Sequence, residues 1–333
     1  MLGGTFRPWG LLGWVLDKLP VPSWSILGCH GTEERSTAVW ETLSHSHKKD
    51  KGLFVRVDAV QSRFSAEATV ALQGRMDTLR QLGLPSEGIR PLPLFSTEAE
   101  ILKTVEDFLL ISGPNVLLDI SALPKRMFFP FIKRLLQSAD VENLVVTYSI
   151  PASYADVLAE DHQTLQHLPL FGMNQFPEPT VKLAFVGVGF SSLGLPELLE
   201  PYKRDVNVQL LFPFPAASPA FQRNWSFVGE LKKRLPPNVS EPIRVGAYDV
   251  PDVFEHISKL TEAGSKCAIF APYGPKTMSL AMCLFAVQAG SVVYYTQPTV
   301  YNPAYSTGIK RLGQDPEAYA YCVRVGGRDL YKI

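Results

Sequence analysis

Apolar residues fall along this chain in short blocks, and within most blocks they occupy successive rather than alternate positions. Such blocks stand near 24–29, 53–58, 89–94, 115–120 and 144–149, and again near 182–187, 207–212, 243–248, 266–271 and 291–296. Strands that are apolar on consecutive positions suit a parallel sheet covered on both faces. Between the blocks lie polar loops and stretches of helical period, such as Met127 to Leu136. The pattern therefore predicts an α/β fold of two doubly wound units with mainly parallel sheets. Residues 1–160 form the first predicted domain and 181–333 the second. The Pro-rich, aperiodic stretch 161–180 is the predicted linker. Within the second domain, the tail 318–333 is expected to add an antiparallel edge strand or hairpin.

The two halves repeat one another. Pro124-Lys125-Arg126-Met127 returns as Pro275-Lys276-Thr277-Met278, each pair of motifs being followed by an apolar strand that holds Tyr148 or Tyr295. The segments starting at Ile89 and Ile243 correspond, as do those around Trp24 and Lys182, and those around Leu53 and Val206. Five matches in one order point to tandem Rossmann-like domains related by internal duplication. The alternative is two unrelated α/β domains whose hydrophobic patterns converge.

Composition narrows the function classes. The chain has 333 residues, 46% of them hydrophobic and 19% charged, with 32 basic against 32 acidic side chains. Zero net charge argues against binding long nucleic acid, which usually requires a basic surplus. Cys29, Cys267, Cys283 and Cys322 form no CxxC pair, so a reduced, cytoplasmic chain is expected. No apolar run approaches the roughly 20 residues of a membrane span, and residues 10–16 read as a packed terminal segment.

Candidate chemistry follows from the fold. Ligands of open parallel sheets settle beyond the carboxyl ends of the strands, near the switch in strand order. In the first half that selects Gly28, His30, Gly31 and Thr32 after the first strand, and Asp119, Ser121, Lys125 and Arg126 after the fourth. In the second half it selects Gly187, Gly189 and Ser191, then Gly274, Lys276 and Thr277. Pro124 and Pro275 are predicted at the first helical position, and a lysine beside a helix N-terminus favours an anion such as phosphate. One such lysine is ordinarily solvated surface; its repetition turns the balance toward a site. Tyr148 and Tyr295 could stack on bases or simply pack.

Other motifs weigh less. Gly187-x-Gly189 is followed by Ser192 where a dinucleotide fold needs a third glycine, and no Walker sequence is present. His45, His47, Lys48 and Lys49 read as a solvated loop. Cys29-His30 with Glu33 lacks an orienting third group, and Asp119 has Phe270 as its counterpart. No catalytic, metal or cofactor residues are assigned.

A strand, a short turn and Lys-x-Met opening a helix resembles the ligand-binding signature of CARF domains, and a fused pair is similar to SAVED domains. The specific part is Ser121-Ala-Leu-Pro-Lys125 and Tyr273-Gly-Pro-Lys276, where the family commonly has Thr-Gly-Gly-Thr-Lys. The resemblance implies a sensor or scaffold subunit of an antiviral defence system. Such a sensor would hold a cyclic or linear oligonucleotide between or within its halves, without a membrane role, and act through a separate partner protein. Two alternatives stay open. One is a nucleotide-processing hydrolase or phosphodiesterase using Asp119 or Glu33 with Lys125; the other is a structural interaction subunit with a vestigial pocket.

Overall fold

The computed structural model describes residues 6–58, 60–155, 159–172, 181–190, 206–214, 220–233 and 239–333. In chain order its elements begin with β1 (Trp9–Leu11), α1 (Leu12–Lys18), β2 (Trp24–His30), α2 (Ala38–His45), β3 (Lys49–Asp58), α3 (Ser65–Gln81), β4 (Ile89–Pro93) and α4 (Glu98–Leu109). There follow β5 (Asn115–Asp119), α5 (Lys125–Gln137), β6 (Asn143–Ser149), β7 (Pro151–Tyr154), β8 (Ala159–His162) and β9 (Gln166–His167). The second Rossmann-like stretch comprises β10 (Leu183–Gly187), β11 (Asn207–Phe214), α6 (Ala220–Lys232), β12 (Ile243–Gly246), α7 (Val250–Leu260), β13 (Ala268–Pro272), α8 (Lys276–Ala289) and β14 (Tyr294–Tyr295). The chain closes with β15 (Pro298–Tyr301), β16 (Ser306–Ile309), β17 (Arg311–Leu312), β18 (Asp315–Pro316), β19 (Ala318–Val325) and β20 (Arg328–Asp329).

Two compact units result: Met1–Asp161 with Pro298–Leu330, and His162–Gln297 with Tyr331–Ile333. In the first, the strands run β1-β19-β6-β5-β2-β3-β4. The five from β6 to β4 are parallel. Taken in chain order, those five stand in the sequence 3-2-1-4-5, and the order reverses between β2 and β5. The second unit repeats this. Its parallel sheet runs β12-β11-β10-β13, and Val293 bridges Phe270 in parallel as the start of a fifth position. The chain is thus α/β with Rossmann-like sheets, and both halves share one topology.

Double-sided burial explains why the strands read as apolar runs. Every residue of β2 is buried, and Leu27 sits between Leu53 of β3 and Leu118 of β5 in register, all three at the centre of the sheet. Helices cover the faces: Leu12, Val15 and Leu16 of α1 join Trp24, Trp40 and Phe54 in one core cluster. In the second unit Val186, Leu210 and Ile269 form the corresponding core with Phe227 and Leu231 of α6.

The tail departs from its predicted place. Residues 298–330 belong to the first unit, where β19 pairs antiparallel with β6 and forms a hairpin with β20. Arg324 of β19 is the reason this strand matters to the site. Its guanidinium donates to the carbonyls of Leu136 (2.6 Å), Ser138 (2.7 Å) and Val141 (3.1 Å) and pairs with Asp329. A cation there complements the negative end of α5 and anchors that helix. The stretch 161–180, expected as a linker, contains β9 and buries Leu168 and Phe171 in the second unit; residues 173–180 lie outside the described residues.

Lys48 and Lys49, read from sequence as part of a solvated loop, are half-buried ties. Their amines donate to the carbonyls of Leu16 and Leu82, each at 2.6 Å, near the carboxyl ends of α1 and α3. Among the described residues, no helix is long and apolar enough to cross a membrane.

Candidate functional site

In the first unit, the loops after β2 and β5 meet at the switch in strand order. A methyl group on Gly31 would come within 3.1 Å of the Ala122 side chain. The loop after β5 is fixed by a buried polar network. Asp119 Oδ1 accepts from the Ser121 backbone N–H at 3.0 Å, from the Ser121 hydroxyl, and from Thr147 Oγ1 at 3.4 Å. Ser121 Oγ in turn accepts from the Ser149 N–H at 2.8 Å. Both Asp119 and Ser121 are buried. Their bonds stitch the loop to β6 and set the direction in which α5 starts.

Helix α5 starts with Lys125 itself. Pro124 is the residue before the helix, with φ −58° and ψ 149°, and Pro275 stands likewise before α8 with φ −53° and ψ 155°. The prolines were predicted one position later; their fixed φ suits either place, and the extended ψ makes them caps. Neither offers a side-chain acceptor to its helix. Lys125 is only 7% exposed, and Lys276 is half-buried. Arg126 turns toward α4, donating to the Ser96 carbonyl at 3.1 Å. Burial lowers its pKa, with Glu98 opposing.

Several sequence-predicted residues occupy other roles. Gly28 lies inside β2, packed against Phe54, so the loop opens only at Gly31, with Thr32 half-buried beside it. Tyr148 is buried, its hydroxyl 2.8 Å from that of Tyr154, which excludes it from open base stacking. His30 is buried, and its Nε2 lies 2.8 Å from the Leu72 carbonyl of α3. Burial lowers its pKa from 6.5, partly countered by that carbonyl bond. The unfolded chain therefore binds more protons around and below pH 6.5, so stability falls as acid is added. Melting temperatures between pH 8 and pH 5 should drop more in the wild type than in His30→Gln.

The loop after β2 holds a residue that sequence reading passed over. Arg35 is 1% exposed. Its Nε and Nη2 donate to Glu33 Oε2 at 2.9 and 2.8 Å, and its Nη1 to the Ser149 carbonyl at 3.3 Å. The guanidinium stands 5.3 Å from the Tyr148 ring centroid and 5.9 Å from that of Tyr154. Tyr305 packs edge-on against Tyr154, and Ser306 donates to Glu33. Burial, the largest single effect, opposes the charge on Arg35, and the Glu33 carboxylate together with Tyr148, Tyr154 and Tyr305 outweighs it, leaving the pKa well above the usual value. The only sequence signal was a Glu-Glu-Arg run beside a strand end. The partners come from residues 148–154 and 305–306.

The second unit builds its switch more tightly. A Cβ on Gly189 would lie 2.0 Å from the Tyr273 carbonyl oxygen, so that the loop after β10 rests directly on the loop after β13. Gly187 and Gly274 meet around Met278. Ser279 Oγ donates to the Pro275 carbonyl at 3.0 Å, and Thr277 donates to the Ala247 carbonyl. Tyr295 is half-buried against Tyr273, ring centroids 5.5 Å apart, while Tyr273 shares a 2.9 Å hydroxyl bond with Thr296. Ser191 lies outside the described residues. The glycines that looked like an incomplete dinucleotide fingerprint are thus required by loop packing. Gly189→Ala should destabilise the protein by roughly 1–3 kcal/mol, because backbone must move; Gly229→Ala, which meets nothing within 4 Å, should not. Chemical denaturation of both variants measures the difference.

The structure therefore gathers Gly31, Thr32, Asp119, Ser121 and Lys125 at one sheet edge. It gathers Gly187, Gly189, Gly274, Lys276, Thr277 and Tyr295 at another. Among the described residues no cluster of His, Cys, Asp and Glu could hold a metal ion.

No protein-family model and no curated protein matches the chain. Among solved structures it is similar to a type III CRISPR defence DNA nuclease activated by cyclic oligoadenylate, at 10% identity, 83% of this chain, 65% of that one and a TM-score of 0.49. It is also similar to a ketoreductase domain from the bacillaene assembly line, at 12% identity, 84% and 67% coverage and a TM-score of 0.20. An N-terminal ketoreductase from the macrolactin assembly line matches at 11% identity, 80% and 64% coverage and a TM-score of 0.19. The chain spans 65% of the length of the first of these. At such identities, with TM-scores under 0.5, the likeness carries no conclusion about function.

Proposed function

We propose that this chain is a sensor subunit that binds an anionic, nucleotide-type ligand at the carboxyl edge of its first parallel sheet, with Lys125 as the principal anion contact. The observation that carries this reading is the placement of Lys125. It is the first residue of α5, almost fully buried, at the switch in strand order, and Lys276 stands at the equivalent position of the second unit. An amine already out of water attracts a phosphate more strongly than a solvated one, because the effective dielectric around it is lower. The first-turn N–H groups of α5 add the positive end of the helix dipole. The ligand class, a cyclic or linear oligonucleotide, rests on the sequence resemblance to CARF domains, as does transmission of the event to a separate partner protein.

Turnover is disfavoured by the state of the two candidate carboxylates. Asp119 Oδ1 accepts from Ser121 and Thr147, and Glu33 Oε2 from Arg35 and Ser306, and both side chains are buried. A general base needs a lone pair facing its substrate, and burial holds both carboxylates in contacts within the protein. A purely structural role is favoured by one observation: the Arg35 cluster fills the space beside the loop after β2 with aromatic rings.

A panel of cyclic and linear oligonucleotides, screened by thermal shift and followed by chromatography of each mixture, separates the three readings. The sensor reading expects a saturable rise in melting temperature with the ligand recovered unchanged. Conversion to product would support the enzyme, and no shift with any anion would leave the structural role.

A further inference from the structure

Exposed aromatic surface of the second unit collects around the end of β11, on residues that the site described above does not include. Phe214, the last residue of β11, is 48% exposed, and Trp225 of α6 is 46% exposed. The Trp225 ring packs on buried Phe212, centroids 5.0 Å apart. Phe212 and Phe214 are two positions apart on a strand and so share a face, and Arg244 of β12, the register partner of Phe212, lies on that face too. The Arg244 guanidinium stands 5.8 Å from the Phe214 ring centroid and is itself exposed, with no ion pair among the described residues.

Large rings left half open to water, and an arginine held over an aromatic face, form a combination with a specific chemistry. A ring presents a flat apolar face that any nucleobase can stack on, while a guanidinium over an aromatic keeps N–H groups for a phosphate. We infer that this face binds a nucleobase with its attached phosphate, the base stacking on Trp225 and Phe214 and the phosphate pairing with Arg244. None of these three residues takes part in the Lys125 reading, and the inference stands or falls without it. The same chemistry could come from a mononucleotide or from a single strand.

Trp225 reports on its own site. The other four tryptophans, Trp9, Trp14, Trp24 and Trp40, precede it in the first unit, so the difference in emission between wild type and Trp225→Phe isolates it. Adenosine monophosphate and an unlabelled single strand of about ten nucleotides are titrated separately. Saturable quenching of the Trp225 signal is expected, and Phe214→Ala or Arg244→Ala should raise Kd by roughly 5- to 100-fold. Both side chains are exposed, so unchanged melting temperatures confirm that these variants fold. Tight, weakly salt-dependent binding of the mononucleotide would assign the face to a small ligand; tighter binding of the strand that weakens steeply with salt would assign it to single-stranded nucleic acid. Absence of quenching by both probes, or a midpoint indifferent to Phe214→Ala and Arg244→Ala, would overturn the inference.

Discussion

Replacing Arg35 by alanine is expected to lower the free energy of unfolding by about 3–5 kcal/mol, because it leaves a buried carboxylate without its cation. Glu33 is buried and its Oε2 takes two guanidinium bonds as well as the Ser306 hydroxyl. Without Arg35, only the hydroxyl would face that charge, and the Tyr148 and Tyr154 rings would lose the cation beside them. Removing both charges at once should cost far less. The double variant Glu33→Gln, Arg35→Met keeps the volume and discards the desolvation problem, so it should recover most of the loss. Urea unfolding of wild type, Glu33→Gln, Arg35→Met and the double variant gives the coupling directly. An Arg35→Ala variant within about 1 kcal/mol of wild type would show the pair to behave as a surface salt bridge.

That cluster also marks where local sequence reading stops. The parallel strands were legible because burial on both faces forces consecutive apolar residues: the predicted 115–120 and 144–149 appear as β5 and β6. The Pro-Lys repeat was legible because strand-to-helix junctions impose their own residue chemistry on a few adjacent positions. Arg35 was not, since nothing near it in sequence says that Tyr148, Tyr154 and Tyr305 will surround it. Its burial depends on residues 298–330 belonging to the first unit, a pairing of strands far apart in sequence that no local period encodes. Gly189 illustrates the same limit in another way. Its glycine looked like part of a phosphate-binding fingerprint, whereas the demand comes from the Tyr273 carbonyl of a distant loop. Gly28 and His30 were assigned to a loop because a glycine suggested a turn, yet β2 continues through His30 with every residue buried.

The Asp119 network bears on how the proposed ligand would be felt. Ser121 bonds both Asp119 and the backbone of Ser149, at the end of β6, and the next strand, β7, pairs with β16. Thr307 of β16 shares a 2.6 Å hydroxyl bond with Ser153 of β7, and the Gly308 N–H donates to Glu34 at 3.0 Å. An anion settling against the first turn of α5 would therefore act on a loop whose hydrogen bonds lead to the end of β6.

Lys125 carries the second large effect and the central claim. Removing a charged group that hydrogen-bonds an anion typically costs about 1.5–3 kcal/mol, which is roughly a 10- to 100-fold loss of affinity. Calorimetric titration of the highest-affinity oligonucleotide from the screen into wild type, Lys125→Ala and Lys276→Ala is the direct measurement. Lys125→Ala should lose affinity to that extent while melting within a few degrees of wild type in the absence of ligand. Equal dissociation constants for wild type and Lys125→Ala would contradict the account.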